Sequence, residues 1–525
     1  MVENQLNAII VGAMRAVPRS RGSFVPAGRV LLIAVISALI SSVACGKSPV
    51  VRPLIIGHHA PLASTALRNP GHNNGSFNIL INVYEALVER GPDFALRPLL
   101  AESWYSPDSV TWVFKLRRGV RRHDGKILTA DDVVKSIERS KQDAWTAGAL
   151  APVDTVFARG ESEVVFTTKE PIDTLPARLV YVAVSGLPEP DGATGPYRIR
   201  SWTPTGSIVL ESFEDYHGGR PPVAIVEYRI IPDPRERARR LITGELQFIE
   251  EIAPPDMASL SGARGVRAMS VPGFTSAFLV FDTRRKETPY VKGRNPFFDP
   301  RVREAINLAI DRQALVDGPL NGHARATDQL AQRGQIGFDE KRSPTRPDRA
   351  RAKELLRAAG FPDGFEVPLD HMSGNVEPAA TALIRQLAEV SIRATPRGRP
   401  ASEFLPRIEQ MDTSFYLLRW IQPSEEIHES YTWLLHTREG DSGSMNGGGF
   451  SSPRFDALLA TAAHDREEKS RTAALREATA IVLAERPILP LYVQDDFYAF
   501  SSDLDFEPLP RQQFSTVLKR MRWKN

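Results

Sequence analysis

The chain has 525 residues, which is long enough for two or three domains of the usual size of about 150 residues. Hydrophobic residues at 42% and charged residues at 25% are ordinary for a soluble globular protein, and a net charge of +3 does not indicate nucleic-acid binding. The single cysteine excludes a disulfide framework and any Cys-rich metal site.

The first 44 residues have the features of a signal peptide. A basic segment with Arg15, Arg19, Arg21 and Arg29 is followed by the apolar run VLLIAVISALISSVA at 30–44. A membrane-spanning helix needs about 20 such residues, so we predict a cleaved signal peptide at 1–44, with a transmembrane anchor as the alternative. Met14 is an alternative start.

The one cysteine, Cys45, follows the apolar run directly in SVACGKS. This segment resembles a bacterial lipobox, in which the cysteine thiol carries a diacylglycerol, although Ser42 stands where that pattern prefers Leu. Ordinary signal peptidase would cut the same bond, since Ser42 and Ala44 are small. We expect lipidation of Cys45 and a lipidated tether at 45–53; an unmodified Cys45 is the alternative.

The segment LIIG at 54–57 predicts a strand, followed by a loop rich in Gly, Asn and Pro. His58, His59 and His72 fall in this loop. A structural metal site needs several ligands at tight spacing, and two adjacent histidines seldom reach one ion. We therefore predict no metal site, and we interpret these histidines as exposed loop residues or as a ligand contact through His58 or His59.

The stretch at 83–140 carries the densest local signals. Val83, Leu87 and Val88 have helical spacing, and Gly91 with the next proline would end that helix. The alternating run VTWVFKL predicts a half-buried strand. Thr129 can cap a following helix, with Asp132 as its capping-box partner.

Later segments predict further elements in chain order. Short runs rich in apolar residues predict strands, with weak alternation at 163–168, and longer amphipathic segments predict helices. These are strands at 163–168, 207–212, in VAIVEYRIIPD, in AFLVFDT at 277–283 and at 415–420, and helices in PRERARRLI, at 298–317, in RAKELLRAAG and at 381–392.

Several phrases within these elements closely resemble the family 5 extracellular solute-binding proteins, the peptide- and nickel-binding receptors of ABC importers. They are YEALV, LAESW, WVFKLRRGV, HDGKILTADDVVKSIER, TGPY, DYHGGRPP, AFLVFDT and SPRFDALL. The resemblance runs in the family's order from about residue 55 to the C-terminus. Ala193, His217 and Asp282 are departures from the family spelling.

The resemblance implies an α/β fold of two lobes, like the periplasmic binding proteins of type II and cluster C, with an extra subdomain and a hinge of crossing strands. Lobe I would be discontinuous, and the solute would be held between the lobes. The expected boundaries are 54–82, 190–283 and 490–525 for lobe I, 83–189 for its subdomain, and 284–489 for lobe II.

The resemblance also points to ligand-binding residues. In peptide-binding relatives a strand ends in Trp, and an Asp three residues later pairs with the ligand's α-amine; here the Trp is Trp420, but Pro423 takes the place of the Asp. Glu425 or Glu426 would replace that Asp, or the ligand has no amine there. The other candidate binding residues are Tyr197, Tyr431, Trp433, His58 and His59.

We therefore predict an extracytoplasmic, lipid-anchored solute-binding protein that feeds a peptide or similar solute to an ABC permease and its ATPase. We expect a monomer that is not an enzyme and has no cofactor, since no phosphate loop or dinucleotide motif precedes a helix. A peptide receptor or chaperone without a transport role is one alternative. A serine hydrolase using Ser442 of GDSG with the TAAH at 461–464 is another, but the chain order is reversed from trypsin-like proteases.

Overall fold

Strands and helices alternate along most of the chain. The computed structural model describes residues 52–67, 74–91, 95–143, 146–374, 376–422, 426–440, 442–465, 467–508 and 517–524. The strands in these parts are β1 (Leu54–His58), β2 (Glu85–Ala86), β3 (Val88–Arg90), β4 (Leu96–Pro98), β5 (Ala101–Tyr105), β6 (Thr111–Leu116), β7 (Val153–Arg159), β8 (Glu163–Thr168), β9 (Ala183–Val184), β10 (Tyr197–Trp202), β11 (Ile208–Ser212), β12 (Ile225–Ile230), β13 (Phe248–Ile249), β14 (Val266–Phe281), β15 (Ala324–Ala326), β16 (Phe365–Met372), β17 (Ile392–Arg399), β18 (Phe415–Ile421), β19 (Ile488–Ser501), β20 (Leu504–Asp505) and β21 (Arg522–Trp523).

The α-helices of the same parts are α1 (Asn74–Leu80), α2 (Ala130–Ser140), α3 (Ala147–Leu150), α4 (Leu175–Arg178), α5 (Pro234–Ile242), α6 (Met257–Ser261), α7 (Pro300–Ala309), α8 (Arg312–Asp317), α9 (Arg349–Ala358), α10 (Glu377–Ala388), α11 (Ala401–Glu409), α12 (His428–Leu434), α13 (Pro453–His464) and α14 (Glu468–Glu485). None of the helices described is long and apolar enough to cross a bilayer. The apolar run at 30–44 and Cys45 lie outside the described residues.

One mixed sheet connects most of the structure. Its strand order is β10-β11-β12-β1-β13-β19-β14-β18-β16-β17, with β15 also pairing with β19. At one end β12, β1 and β13 are parallel, and at the other β18, β16 and β17 are parallel. The long antiparallel pair β14 and β19 lies between these parallel sets and joins them.

Separate apolar cores lie on either side of the β14–β19 pair. We call the side built on β1 and β10 to β13 lobe I; Ile56, Leu210 and Phe248 are in its core. The side built on β15 to β18 is lobe II, with one core on each face of the sheet, around Leu417 and Tyr416 respectively. A smaller core at 87–184 covers the four-stranded sheet β5-β6-β8-β7.

The local signals at 111–140 are confirmed. Strand β6 spans Thr111–Leu116, and α2 begins directly after Thr129. The Thr129 hydroxyl accepts from the Asp132 N–H at 3.2 Å, while the Asp132 carboxylate accepts from the Thr129 N–H at 3.1 Å. This is the predicted capping box, which satisfies two backbone donors at the helix start.

The helix predicted around Val83 is wrong. Helix α1 ends at Leu80, and Glu85–Ala86 forms β2, which pairs with Ala183–Val184. Val83 is buried in the lobe I core, whereas Leu87 is buried in the core at 87–184. These side chains face two different cores, so their helical spacing does not define one helix face, and strand pairing overrides it.

Two other helices differ from the prediction in their bounds. The helix predicted at 298–317 divides into α7 and α8, because Ile310 is extended and the Asp311 carboxylate caps α8 by accepting from the Ala314 N–H. The helix predicted at 381–392 ends at Ala388, and Ile392 already begins β17. The intervening Ser391 has a φ of 67°, a conformation that terminates helices.

Candidate ligand-binding site at the hinge

The parallel strands of lobe I end at the junction with lobe II. Ile56 and Gly57 of β1 pair with Phe248 and Ile249 of β13, so the residues that follow both strands lie at one edge of the sheet. These residues are His59, Glu250 and Glu251, beside His58 at the end of β1. In open parallel sheets the crevice beyond the carboxyl ends of the strands is where ligands bind.

Lobe II presents the end of β18 to the same junction. Thr275 of β14 pairs on one side with Ile421 of β18 and on the other with Gln494 of β19. Two residues further along β19, Asp496 pairs with Val271. The carboxyl ends of strands from both lobes therefore meet near the midpoint of the β14–β19 pair.

The midpoint of the β14–β19 pair carries an irregularity, and we call this midpoint the hinge. Between two paired positions β14 advances four residues, from Val271 to Thr275, while β19 advances only two, from Asp496 to Gln494. The extra residues form a bulge, which locally interrupts the ladder and bends the strand. Gly273 lies in this bulge, where an added Cβ would be 2.4 Å from the Gln494 carbonyl oxygen.

Three ionisable side chains at this junction make no ion pair or hydrogen bond through their charged groups with any other described residue: Glu251, Asp496 and Arg419. They come from lobe I, the hinge and lobe II respectively. Burial, and secondarily the negative charge of Glu251, raises the pKa of Asp496 to about 7, while the positive charge of Arg419 opposes that rise. Glu251 and Arg419 are thus each within electrostatic reach of Asp496.

Trp420 is held in a fixed orientation beside Arg419. Its indole Nε1–H donates to Ser430 Oγ at 2.9 Å, and the Ser430 hydroxyl donates to Gln422 Oε1 at 2.6 Å. The Trp433 ring packs edge-on against it, with ring centroids 5.6 Å apart. The structure therefore brings the predicted residues Trp420 and Trp433 together, both partly exposed, with the indole N–H of Trp420 used inside lobe II.

The predicted tyrosines have internal roles. Tyr197 is fully buried in lobe I, where its hydroxyl donates to the Val223 carbonyl at 3.0 Å. Tyr431 is fully buried in lobe II, where its hydroxyl lies 2.9 Å from Thr479 Oγ1. Burial raises the pKa of both hydroxyls. Because both are used inside the protein, we do not include them in the binding site proposed below.

Of the two predicted glutamates, Glu425 lies outside the described residues. Glu426 Oε1 is 3.3 Å from Nε of Arg471, and both side chains are largely buried. The Glu426 backbone also bridges to Ile336. Its carboxylate is therefore already neutralised by a cation of lobe II, and its role in ligand binding stays a prediction.

The histidines differ from the loop prediction. His58 is the last residue of β1, paired with Ile230 and only 1% exposed, so its placement in an exposed loop is wrong. Its Nδ1 is 3.5 Å from Glu250 Oε1, and its ring centroid is 4.7 Å from that of His59. Burial lowers the pKa of His59 against the opposing charge of Glu251, which favours the neutral ring. Among the residues that the structure describes, no group of three or more His, Cys, Asp or Glu is arranged to hold a metal ion.

Sequence reasoning missed the three unpaired charges, although each had a local signal. Arg419 is the only charged residue in the strand FYLLRWI, and Asp496 follows another acid in the otherwise apolar strand ILPLYVQDDFYAFS. Glu251 follows the short buried strand β13. A charge within or directly after an apolar strand is costly to bury, so such positions are candidates for function.

Comparison with known proteins agrees with this geometry. Residues 95–442 match the family model described as bacterial extracellular solute-binding proteins, family 5 Middle. The glutathione-binding protein GsiB of Salmonella typhimurium is 26% identical over 461 residues, covering 82% of this chain and 87% of that protein.

The chain belongs to family 5 of the bacterial extracellular solute-binding proteins.

Solved structures of this family have the same fold. DppA from Helicobacter pylori, in complex with the peptide STSA, superposes with a TM-score of 0.79 at 22% identity, covering 90% of this chain and 98% of that one. AgaA from A. tumefaciens R10, in complex with agropinic acid, gives 0.77 at 21% identity, covering 90% and 99%. The predicted two-lobed α/β fold is confirmed.

As a family 5 protein, the chain is a solute-binding component of ABC importers and not an enzyme. The hydrolase alternative is therefore rejected. Ser442 lies in a tight turn, where its N–H donates to the Glu439 carbonyl, while His464 Nε2 is 3.4 Å from Glu170 of the subdomain. These two residues have structural contacts of their own.

Proposed function

We propose that this protein captures a peptide or peptide-like solute in the cleft between its lobes and delivers it to an ABC permease. The observation that carries the proposal is the set of unpaired charges at the hinge, contributed by both lobes and by β19. Asp496 and Arg419 are partly buried, and such charges are normally paired, so a solute group of opposite charge would stabilise each of them. Glu251 adds an exposed carboxylate at the same junction. A solute with charged groups at both ends provides such partners.

The names of similar proteins support this class of solute. GsiB is a glutathione-binding protein, and the H. pylori DppA structure contains the peptide STSA. Glutathione and STSA are both short peptides. We infer a small peptide or a peptide-like acid for this chain, held by the charges at the hinge and by the fixed ring of Trp420.

Closure of the two lobes is the step that would follow binding. In this proposal 54–82, 190–283 and 490–525 form lobe I, 83–189 its subdomain and 284–489 lobe II. Strands β14 and β19 cross between the lobes, and their irregular midpoint allows a change of angle without breaking either lobe's core. The closed, solute-bound form would dock on the permease, and the partner ATPase would drive transport.

The location proposed is extracytoplasmic, with the protein held to a membrane through lipid on Cys45 after removal of 1–44. The support for this is the SVACGKS segment and the apolar run before it. A tether at 45–53 would link the lipid to the first strand. The protein would act as a monomer.

Native mass spectrometry of protein purified without ligand exchange tests the proposed solute class. We expect a co-purified solute with the mass of a short peptide or peptide-like acid, released when the protein is unfolded by acid. A bound sugar or a metal chelate would contradict the class. Loss of uptake of that solute in cells lacking the protein would establish transport, whereas normal uptake would favour a receptor or chaperone without a transport role.

A further inference from the structure

We infer that the two lobes divide the recognition of a zwitterionic solute, with Arg419 of lobe II binding its carboxylate and Glu251 and Asp496 binding its ammonium group. This inference rests on the proposed function and specifies it, because it assigns the orientation of the solute and the residues that read each end.

Arg419 has the environment of an anion receptor. It lies two residues beyond Leu417 on the same face of β18, so an apolar core precedes it along the strand. Its Nε is completely buried and has no hydrogen-bond acceptor among the described residues. A buried donor without an acceptor costs about 1–3 kcal/mol, and more when it is charged. A guanidinium presents a planar fork of donors that matches the two oxygens of a carboxylate.

Glu251 is held in place by its backbone and leaves its carboxylate exposed. Its φ of 55° lies in the left-handed region, which non-glycine residues adopt at a cost of about 1–3 kcal/mol. Nη2 of the buried Arg237 donates to the Glu251 carbonyl at 2.7 Å, which fixes this conformation. Such strain is typically maintained at ligand sites. Here its effect is to present the side chain at the carboxyl edge of lobe I.

Asp496 is the second carboxylate of the proposed ammonium site. It is partly buried in the middle of β19, and it lies against the bulge of β14, where a Cβ on Gly273 would be 2.8 Å from its Oδ1. The negative charge of Glu251 disfavours ionisation of Asp496. An ammonium group between two such carboxylates relieves this repulsion and provides a charge-assisted donor for each.

The acids and Arg419 do not neutralise one another in this structure. The described residues include no ion pair from Arg419 to either acid, although its charge acts on Asp496. A solute with opposite charges at its two ends would pair with both sides at once. The ammonium site also differs from the one expected at Glu426, whose carboxylate is paired with Arg471.

The test uses mature, full-length protein and three pools of mixed tripeptides: unmodified, N-acetylated and C-terminally amidated. Retained peptides are identified by native mass spectrometry, and the best ones are titrated by calorimetry. We expect wild type to retain the unmodified pool and to lose at least about 30-fold in affinity when either terminus is blocked. This arm needs no variant and is therefore independent of folding defects.

The variants assign each end to its residue. We expect Arg419→Gln to bind amidated and free peptides equally, and Arg419→Lys to recover part of the preference for a free carboxylate. We expect Glu251→Gln and Asp496→Asn to bind acetylated and free peptides equally. The matched controls Arg264→Gln and Glu507→Gln change the same charges at exposed positions beyond the far ends of β14 and β19, and should bind as wild type.

Two failures can be told apart. If wild type retains no peptide from any pool, the proposed solute class is wrong and this inference falls with it. If wild type binds peptides but treats blocked and free termini alike, or if Arg419→Gln keeps the full preference for a free carboxylate, the proposed function stands and the division of recognition is wrong.

Discussion

The carboxyl group of Asp496 links solute binding to pH. Burial and Glu251 raise its pKa to about 7, Asp495 adds to the rise, and Arg419 and Arg325 oppose it. A bound ammonium would stabilise the ionised form, so the pKa would fall on binding and a proton would be released below about pH 7. We expect affinity for a zwitterionic peptide to increase by up to roughly tenfold per pH unit as pH rises toward 7.

Calorimetry at several pH values, in buffers of different ionisation enthalpy, measures this proton release directly. Asp496→Asn should bind more weakly but with an affinity that hardly changes between about pH 5.5 and 7. A wild-type affinity that is flat over this range, with no proton released, would show that no cation of the solute reaches Asp496.

The raised pKa of Asp496 also predicts that the stability of the ligand-free protein falls as pH rises, whereas its affinity for the solute increases. The pKa of Asp496 is about 7 in the folded protein and near its ordinary value of 3.8 when unfolded. The folded state therefore binds more protons between these values, and its stability is present below pH 4 and lost as pH rises through 7. Relative to Asp496→Asn, ligand-free wild type should lose about 2–4 kcal/mol in free energy of unfolding from pH 4 to 8, measured by urea unfolding. If the free energy of unfolding of wild type and of Asp496→Asn changed with pH in the same way, Asp496 would lie in a more solvated site with an ordinary pKa.

At the scale of elements, the β14–β19 pair depends on close backbone approach at Gly273. A Cβ there would meet the Gln494 carbonyl at 2.4 Å, which the strands cannot accommodate without separating. Gly273→Ala should lower the free energy of unfolding by about 1–3 kcal/mol and weaken solute binding, as measured by urea unfolding and calorimetry. Gly262→Ala is the matched control, because its nearest neighbour would be at an ordinary 3.6 Å. Identical behaviour of the two variants would mean that the hinge is more plastic than the bulge indicates.

Elements were predictable from sequence where one local signal decides them. The capping box of Thr129 and Asp132 fixes the start of α2, an alternating pattern locates β6, and the short apolar run at 415–420 locates β18. The prediction failed around Val83, where neighbouring residues enter two different cores. Periodicity reports which side chains are buried, but it does not report whether they are buried in the same place.

The candidate site was predictable only in part for a related reason. Trp420 was predicted because, in the peptide-binding relatives that the sequence resembles, the corresponding strand ends in Trp. Its neighbours at the hinge are far apart in sequence: Glu251 follows β13, Arg419 lies in β18 and Asp496 in β19. They are brought together because β13 pairs with β19 and β14 pairs with both β18 and β19. A local sequence pattern does not predict which distant strands pair with one another.

At the scale of the whole molecule, one sheet passes through both lobes and only β14 and β19 join its two parallel sets. The lobes have separate cores, so a change in the angle between them would leave each core intact. The unpaired charges lie at this junction, so a solute bound as proposed would interact with both lobes and would favour the closed form over the open one.

The proposed lipid anchor would keep the protein near its permease, and Cys45 after SVA is the residue that would carry the lipid. Cys45→Ser should move the protein from the membrane to the soluble fraction and abolish labelling by a radioactive fatty acid, while solute affinity stays unchanged because Cys45 is not part of the proposed binding site. Fractionation of expressing cells measures the first effect. A Cys45→Ser protein that remains in membranes would show instead that the apolar run at 30–44 is retained as an anchor.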